Sequence, residues 1–278
     1  MNLSKIYTQR QDWVHKGNFG KLLVIAGSKN HPGSTIFNGM AALRSGCDLV
    51  TICSPQPSAE VAANFAADFI VHPLRGDFLS KLHVREIVEL SKNHTALVAG
   101  GGLGRERPIY EAILEIIKRI EIPIVLDAEA VRALFKNLKV LKGKSVVLTP
   151  HAAELEAATG EKVSTEIEER KFLAKKFAQE NSVVVVLKGH LDIVTDGMVT
   201  VFNSSGSPLM TKGGFGDTLA GICGAYLARG IKPFEAAQAA TYLNGKAGEQ
   251  AAKKFGEGVL ASDIFDFIPR LIKQESKV

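Results

Sequence analysis

The feature that most limits the possible folds is a series of short, apolar, β-branched segments that recur along the chain. Each is three to five residues long, which suits a strand buried on both faces of a sheet. The segments between them have the apolar spacing of helices. Alternating strands and helices predict an α/β fold, with a mainly parallel sheet covered by helices on both faces. The predicted strands are 22–26, 49–53, 96–99, 124–127, 146–148 and 183–187, and the predicted helices between them are 35–46, 79–91, 109–119 and 165–181.

The alternation of predicted strands and helices ends after residue 187. Two strand candidates, 192–195 and 199–202, flank the turn Asp196-Gly197 and predict a β-hairpin at the edge of the sheet. Helical segments follow at 215–227, 233–255 and 262–273. A chain of 278 residues can still fold around a single hydrophobic core, and no linker or internal repeat divides it. We therefore expect residues 1–278 to form one domain.

Composition excludes several classes of protein. The net charge is +5 and the basic residues are scattered, which favours anionic small molecules only weakly and predicts no nucleic-acid partner. No segment reaches the roughly 18 to 20 apolar residues of a spanning helix, and residues 1–20 lack the apolar run of a signal peptide, so we expect no membrane partner. Three cysteines without CxxC spacing argue against disulfides and zinc and favour the cytoplasm.

The most informative segment, residues 212–221, is rich in glycine and leads directly into an apolar helix. Gly213, Gly214 and Gly216 allow backbone amides to turn toward one point, where the positive end of the helix dipole adds to them. These groups predict an anion hole. Asp217 would repel a bound phosphate unless it acts as a general base beside a transferred phosphoryl group. Aspartate equally suits a helix cap, so both roles stay open.

Other candidate residues follow the predicted strands. Lys188 ends a strand, where it could reach a phosphate or be solvated. His151 lies three residues before Glu154 at a helix start, and Glu154 could form a capping interaction with Thr149 or His151. A glycine loop at 100–104 leaves room for a large flat ligand. Neither GxxxxGK[ST] nor GxGxxG occurs, so a Walker-type ATPase and a Rossmann dehydrogenase are unsupported.

Taken in order, these segments resemble the ADP/ATP-dependent NAD(P)H-hydrate dehydratases, a branch of the ribokinase-like superfamily. The resemblance spans nearly the whole chain. The matching segments are 15–20 (HKGNFG) with the strand 22–27, 41–46 (AALRSG), 101–104 (GGLG), 126–128 (LDA), 149–154 (TPHAAE), 188–189 (KG), 203–206 (NSSG), 212–221 (KGGFGDTLAG) and 260–263 (LASD).

The resemblance implies a ribokinase-like three-layer sandwich and a repair activity. Enzymes of this family return the hydrated cofactors (6S)-NADHX and NADPHX to NADH and NADPH: ADP or ATP phosphorylates the ring hydroxyl, and phosphate is then eliminated. Mg²⁺ would accompany the nucleotide phosphates, with no protein ligand evident. By motif, Asp217 would be the catalytic base and contact the substrate with Ser34, Gly102 and His151. The nucleotide would lie against Lys188, Gly189, His190, Leu191, Asp192 and Gly216, and the anion hole would comprise Gly213, Gly214, Phe215 and Gly216.

The resemblance also implies partners. Family members are often homotetramers. Some are fused to an N-terminal epimerase that interconverts the two hydrate epimers, whereas this chain begins about 20 residues before its first predicted strand. We therefore expect any NAD(P)HX epimerase to be a separate protein.

Several residues depart from the family pattern. Phe215 replaces a threonine, which removes a donor and adds bulk, and Asp192 replaces a threonine near the nucleotide, where a carboxylate would oppose phosphate binding. Ser34 occupies a place often held by alanine. Two other functions therefore stay open: an ATP-dependent kinase of a small alcohol or vitamin precursor, and a nucleotide sensor without turnover.

Overall fold

A computed structural model describes residues 3–276, and one nine-stranded sheet runs through the centre of this part. The strand order is β3-β2-β1-β4-β5-β6-β7-β8-β9. Neighbouring strands from β1 to β7 are parallel, and β8 and β9 are added antiparallel at one edge. The strands are β1 Lys21–Ile25, β2 Leu49–Pro55, β3 Ile70–Leu74, β4 Ala96–Ala99, β5 Ile124–Leu126, β6 Val146–Leu148, β7 Val184–Leu187, β8 Asp192–Thr195 and β9 Thr200–Asn203.

Helices cover both faces of this sheet. Successive side chains of a strand point to opposite faces, so in β1 Leu22 and Val24 enter one core while Leu23 and Ile25 enter the other. The predicted α/β fold, with a mainly parallel sheet between two helical layers, is confirmed. The helices are α1 Gly33–Arg44, α2 Gln56–Phe65, α3 Val84–Ser91, α4 Arg107–Arg119, α5 Ala128–Ala133, α6 Ala152–Thr159, α7 Ile167–Asn181, α8 Phe215–Ala228, α9 Pro233–Phe255 and α10 Phe267–Ser276. Among residues 3–276, no helix has the length and apolar character that a membrane span needs.

The helix α8 is the most deeply buried element near the proposed anion hole. It is apolar around its circumference, which a helix tolerates only in an interior, and every residue from Thr218 to Ala228 is buried. It packs between α1, α9 and the sheet. Two glycines permit this approach, because a Cβ at Gly221 would overlap the carbonyl oxygen of Asn38 and one at Gly224 would overlap Val98. The packing fixes the first turn of α8, which includes Asp217.

The structure also contains elements that the sequence did not predict. The strand β3 was missed because it lies at the sheet edge, contains Pro73 and has only one buried residue, Leu74. The helices α2, α5 and α6 were missed because each has ten residues or fewer. The predicted helix 79–91 is a 3₁₀ turn, Lys81–His83, followed by α3.

The three cysteines are core residues. Cys47, Cys53 and Cys223 are buried free thiols. Burial raises the pKa of Cys47 to about 11 and that of Cys53 to about 12. These thiols are therefore protonated at neutral pH and are poor nucleophiles.

Candidate active site

A cavity of about 1180 Å³ opens at the carboxyl ends of the parallel strands. Strand order reverses between β1 and β4, and ligands of parallel α/β sheets bind at such a switch point. The segments that follow β1, β4, β5, β6 and β7 all contribute to the cavity wall, and the start of α8 closes it from one helical layer. The lining includes Ser34, Gly102, His151, Lys188, Gly189, His190, Asp192, Gly213, Gly214, Phe215, Gly216 and Asp217. Leu191, which the resemblance placed at the nucleotide, is absent from this lining.

The first turn of α8 presents its backbone amides to the cavity. Gly214 is the N-cap with a φ of +102°, a conformation that favours glycine, and a Cβ there would lie 2.8 Å from Ala261 and Phe37. Residues 213–216 line the cavity directly. The first amides of a helix have no partner within it, so this turn has the geometry of an anion hole. The Phe215 side chain is buried in the core, and its bulk is directed away from the opening.

Asp217 is the third residue of α8 and is not its cap, since Gly214 occupies that position. Asn38 of α1 donates through Nδ2 to Asp217 Oδ1 at 3.1 Å, and Ser34 forms a second hydrogen bond. Gly101 lies on the other side, where a Cβ would overlap the Asp217 carboxylate. Asp217 is thus held between α1 and the loop after β4, and it faces the cavity.

The surroundings of Asp217 make it a stronger base than an ordinary aspartate. Burial, followed by the negative charge of Asp127, raises the pKa of Asp217 from 3.8 to about 7. Lys188 and the hydrogen bonds from Ser34 and Asn38 oppose this rise. A carboxylate with a pKa near the working pH suits general base catalysis.

Lys188 is the cation of a charge cluster beside the first turn of α8. Its Nζ lies 2.9 Å from Asp127 Oδ1 and 3.7 Å from Glu154 Oε2. Burial alone would lower the pKa of Lys188, but the charges of these two carboxylates outweigh it and raise the pKa. The ammonium is also 3.2 Å from the place of a Cβ at Gly216. Lys188 is therefore charged and lies next to the amides that would hold a phosphate.

Asp127 and Asn38 are the residues that sequence reasoning missed. Asp127 directly follows β5 and is 4% exposed, and it also accepts a hydrogen bond from Thr149 Oγ1 at 2.8 Å. An aspartate that ends a buried apolar strand was a usable signal, since Lys188 ends its strand in the same way. Asn38 offered no such signal, because its role depends on the packing of α1 against α8.

His151 begins α6 at the carboxyl end of β6. Its ring Nδ1 accepts from the Glu154 amide at 3.3 Å, and Glu154 Oε2 accepts from the His151 amide at 2.8 Å. The predicted capping interaction of Glu154 is thus with His151 and not with Thr149. Burial lowers the pKa of His151, against the attraction of Glu154. The remaining ring nitrogen of His151, Nε2, lies 3.2 Å from Glu154 Oε1.

The loop after β7 forms the wall at the predicted nucleotide side. Asp192 Oδ1 accepts from the Gly189 amide at 2.9 Å, and Oδ2 accepts from Asn203 Nδ2 at 3.1 Å. Arg170 of α7 donates to the Lys188 carbonyl at 3.0 Å. Both oxygens of Asp192 therefore have partners within the loop and its hairpin, so this departure from the family pattern shapes the loop.

The predicted substrate side is formed by small residues. Gly102 has a φ of +70°, and a Cβ there would lie 2.8 Å from Ser34 Oγ and 2.9 Å from His31. A larger residue at either position would narrow the cavity beside Asp217. The Ser34 hydroxyl contacts the proposed base as well as the cavity.

The described part of the chain offers no cage of protein ligands for a metal ion. Within residues 3–276, no group of three or more His, Cys, Asp or Glu side chains is arranged to hold one. Two other carboxylates that line the cavity, those of Asp127 and Glu154, are both paired with Lys188. This donor set fits a magnesium ion that is bound mainly by nucleotide phosphates and water.

Comparison with known proteins agrees with this architecture. A ribokinase-like superfamily protein of Enterococcus faecalis superposes with a TM-score of 0.84 at 22% identity and covers 99% of this chain and 94% of its own, which shows the fold. The ADP/ATP-dependent NAD(P)H-hydrate dehydratase of Bacillus subtilis, co-crystallised with ATP and Mg²⁺, also gives 0.84, at 26% identity over 98% of this chain and 95% of its own.

Sequence relatives lead to the same family. A bifunctional NAD(P)H-hydrate repair enzyme of Pyrobaculum aerophilum is 38% identical over 270 residues, 96% of this chain and 53% of that enzyme. The chain spans about half the length of such bifunctional relatives. An ADP-dependent (S)-NAD(P)H-hydrate dehydratase of Cenarchaeum symbiosum is 35% identical over 275 residues, 98% of this chain and 95% of that relative. The family model for NAD(P)H-hydrate dehydratase matches residues 22–270. The chain therefore belongs to the NAD(P)H-hydrate dehydratases, enzymes of the ribokinase-like α/β fold.

Proposed function

We propose that this chain dehydrates (6S)-NADHX and NADPHX to NADH and NADPH at the expense of ADP or ATP. The observation that supports this most directly is the position of Asp217, a carboxylate with a pKa of about 7 in the turn whose amides form the anion hole. A base and an anion hole side by side suit transfer of a phosphoryl group to a hydroxyl. The relatives named as dehydratases support the choice of substrate.

The reaction has two stages. Asp217 accepts the proton of the ring hydroxyl, and the oxygen attacks the terminal phosphorus, so that an O–P bond forms and the P–O bond to the nucleotide breaks. Amides of residues 213–216 stabilise the charge on the transferred group. The C–O bond then breaks and phosphate leaves with its electron pair, while the adjacent ring carbon gives up a proton to phosphate or water and the C–H electrons form the ring double bond. Lys188 lies beside this path and is held there by Asp127.

The nucleotide would lie along the loop after β7, against Lys188, Gly189, His190 and Asp192. Mg²⁺, bound to its phosphates, would neutralise charge on them. The relatives from Cenarchaeum symbiosum and Nitrosopumilus maritimus are named as ADP-dependent, and the Bacillus subtilis enzyme as ADP/ATP-dependent. These names support either donor for this chain.

We also propose the arrangement in which the enzyme works. The continuous sheet supports one domain over residues 1–278, and the family resemblance supports a homotetramer. A separate NAD(P)HX epimerase would supply the epimer that this enzyme uses. Sedimentation of the purified protein measures its mass and so tests the tetramer. To test the epimerase, a mixture of the two hydrate epimers is converted with and without added epimerase, and the fraction that becomes NADH is compared.

The test of the function is recovery of NADH absorbance from NADHX with Mg²⁺ and either ADP or ATP. We expect recovery that requires nucleotide, releases one phosphate for each NADH, and is lost by 1000-fold or more in Asp217→Asn. Asp12→Asn, which removes a charge from an exposed residue, should keep full activity. Nucleotide binding without recovery would contradict the proposal and favour the small-alcohol kinase or the nucleotide sensor.

A further inference from the structure

A lysine directly precedes the glycines of the anion hole. Lys212 is followed by Gly213 and Gly214 and lines the active-site cavity. A cation at this position could bind nucleotide phosphates directly. In the structure, however, its Nζ donates to two backbone carbonyl oxygens, that of Glu257 and, at 2.9 Å, that of Val259. Lys212 has no part in the reaction described above.

The two carbonyls that accept from Lys212 belong to the segment after α9. A single 3₁₀ turn follows this helix, and the carbonyls of so short a turn have few partners within it. Further along, Ala261 comes so close to Gly214 that a Cβ on this glycine would lie 2.8 Å from it. The segment 257–261 therefore runs beside residues 212–214 and meets them at two points.

The backbone between Lys212 and α8 is flexible by composition. Glycine loses more conformational freedom on ordering than any other residue, and here two glycines follow each other. Apart from its chain neighbours, no part of the described chain lies within 4 Å of the place of a Cβ at Gly213, so packing does not restrain this residue. Downstream, the burial of α8 fixes the loop. Upstream, the two hydrogen bonds of Lys212 tie it to the segment after α9.

The two lysines beside the anion hole have different partners. The Nζ of Lys188 lies 3.2 Å from the place of a Cβ at Gly216 and is paired with two carboxylates. A lysine has three donors, and Lys212 uses two of them on backbone carbonyls, which fixes the position of its ammonium group. Lys188 is thus the lysine that brings charge to the amides, and Lys212 is the one that holds the backbone carrying them.

We propose that Lys212 is a positioning residue of the anion hole. Its ammonium group holds the loop 212–216 against the segment after α9, so that the backbone amides stay directed toward the transferred phosphoryl group. Amides that are out of line stabilise the charge of the transition state less, so the loss of this anchor slows the chemical step more than it weakens binding. The catalytic part of this inference rests on the proposed function, whereas the order of the loop can be measured without the reaction.

The first test measures the order of the loop in the free protein. The amide of Thr218 donates to the Gly214 carbonyl at 2.9 Å, so its hydrogen exchange reports how firmly Gly214 is held. Lys212→Met keeps the apolar stem of the side chain and removes only the ammonium group. In this variant the Thr218 amide should exchange about tenfold faster than in the wild type. Lys253→Met, at an exposed lysine in the last turn of α9, is the control and should leave this exchange unchanged.

Steady-state kinetics separates positioning from phosphate binding. Lys212→Met should lower kcat about 30-fold and leave KM for ADP within about twofold, because misaligned amides affect mainly the transition state. Lys212→Arg should recover most of kcat, since a guanidinium can donate to both carbonyls. Lys253→Met should change neither value.

A double-mutant cycle with Gly213→Ala tests the cause of the loss. Gly213 has open space for a Cβ and no positive φ, so alanine fits there and restricts the backbone. The loss of kcat caused by Lys212→Met should therefore shrink from about 30-fold to about fivefold in the Gly213→Ala protein. A missing phosphate ligand would cause the same loss in both proteins, because a stiffer backbone cannot replace it.

The possible results separate the two proposals. If the wild-type protein does not convert NADHX, the proposed function fails, and the exchange of the Thr218 amide still decides whether Lys212 holds the loop. If the wild type is active but Lys212→Met has its kcat and its rate of exchange, this inference fails alone. A KM for ADP that rises about tenfold or more, with unchanged exchange, would also overturn it by making Lys212 a phosphate ligand. Equal losses of kcat in the two Gly213 backgrounds would do the same.

Discussion

Replacing Asp217 by asparagine should stabilise the protein increasingly as the pH rises from acid to neutral. In the folded protein the pKa of Asp217 is about 7, against 3.8 for an ordinary aspartate. The native state therefore holds this proton more tightly than the unfolded chain does. The free energy of unfolding of the wild type must then fall as the pH rises from about 4 to about 7, and it levels off above 7. Because asparagine cannot ionise, the free energy of unfolding of Asp217→Asn does not fall in this way.

The magnitude follows from the size of the shift. A difference of about three pKa units corresponds to about 4 kcal/mol over the whole range, at about 1.4 kcal/mol per pH unit. Between pH 5 and pH 8 the wild type should lose about 3 kcal/mol of its free energy of unfolding. This value is an upper bound because Asp217 faces a cavity that water can enter. A chain of this length has an unfolding entropy of about 0.6 kcal/mol/K, so the effect corresponds to about 5 °C in Tm.

Thermal unfolding of the wild type, Asp217→Asn and the exposed control Asp12→Asn, each at pH 5 and pH 8, measures this directly. The Tm of Asp217→Asn minus that of the wild type should be larger at pH 8 by up to about 5 °C. The corresponding difference for Asp12→Asn should be the same at both pH values. An equal difference for Asp217→Asn at both pH values would show that this carboxyl titrates normally, and would remove the argument for a base tuned to neutral pH.

Four further predictions concern the same site. Activity should rise with pH through a midpoint near 7 in kcat/KM, because only ionised Asp217 accepts a proton. Gly101→Ala should reduce kcat by about 100-fold or more, since its Cβ would overlap that carboxylate, whereas Gly258→Ala, with open space around it, should not. Asn38→Ala should move the midpoint up by about one pH unit, because a donor to the carboxylate is lost. Lys188→Met should cost about 3 kcal/mol in denaturant unfolding, because two buried carboxylates lose their counter-charge.

The sheet could be predicted from sequence wherever a strand is buried on both faces. The strands β1, β2 and β4 to β7 are short apolar segments with no alternation, and the Asp196-Gly197 turn identified the hairpin β8–β9. The edge strand β3 lacked this signal, since its pairing with β2 and not its own composition makes it a strand. Short helices such as α5 depend likewise on their contacts with neighbouring elements.

The parts of the site that could be predicted from sequence are those that one continuous segment forms by itself. Residues 213–217 combine glycines, a helix start and an acid, and the structure keeps them together at the cavity. Pairings between distant segments could not be read in this way: Asp127 and Lys188 are 61 residues apart, and Asn38 and Asp217 are 179 apart. The strand order brings the first pair together, and the packing of α1 against α8 brings the second pair together. The cytoplasmic location and the tetramer stay predictions.

The charge balance of the site links nucleotide binding to the strength of the base. Asp127, Glu154 and Asp217 are carboxylates around the ammonium of Lys188, so the cluster has more negative than positive groups and ionisation of Asp217 increases this excess. In the proposed reaction a polyphosphate bound there would add more negative charge, which Mg²⁺ and the amides of α8 would offset only in part. The added charge must raise the proton affinity of Asp217. In the proposed reaction Asp217 would therefore become the stronger base when the phosphoryl donor is in place, and the proton that it takes from the substrate would relieve the repulsion created by that donor.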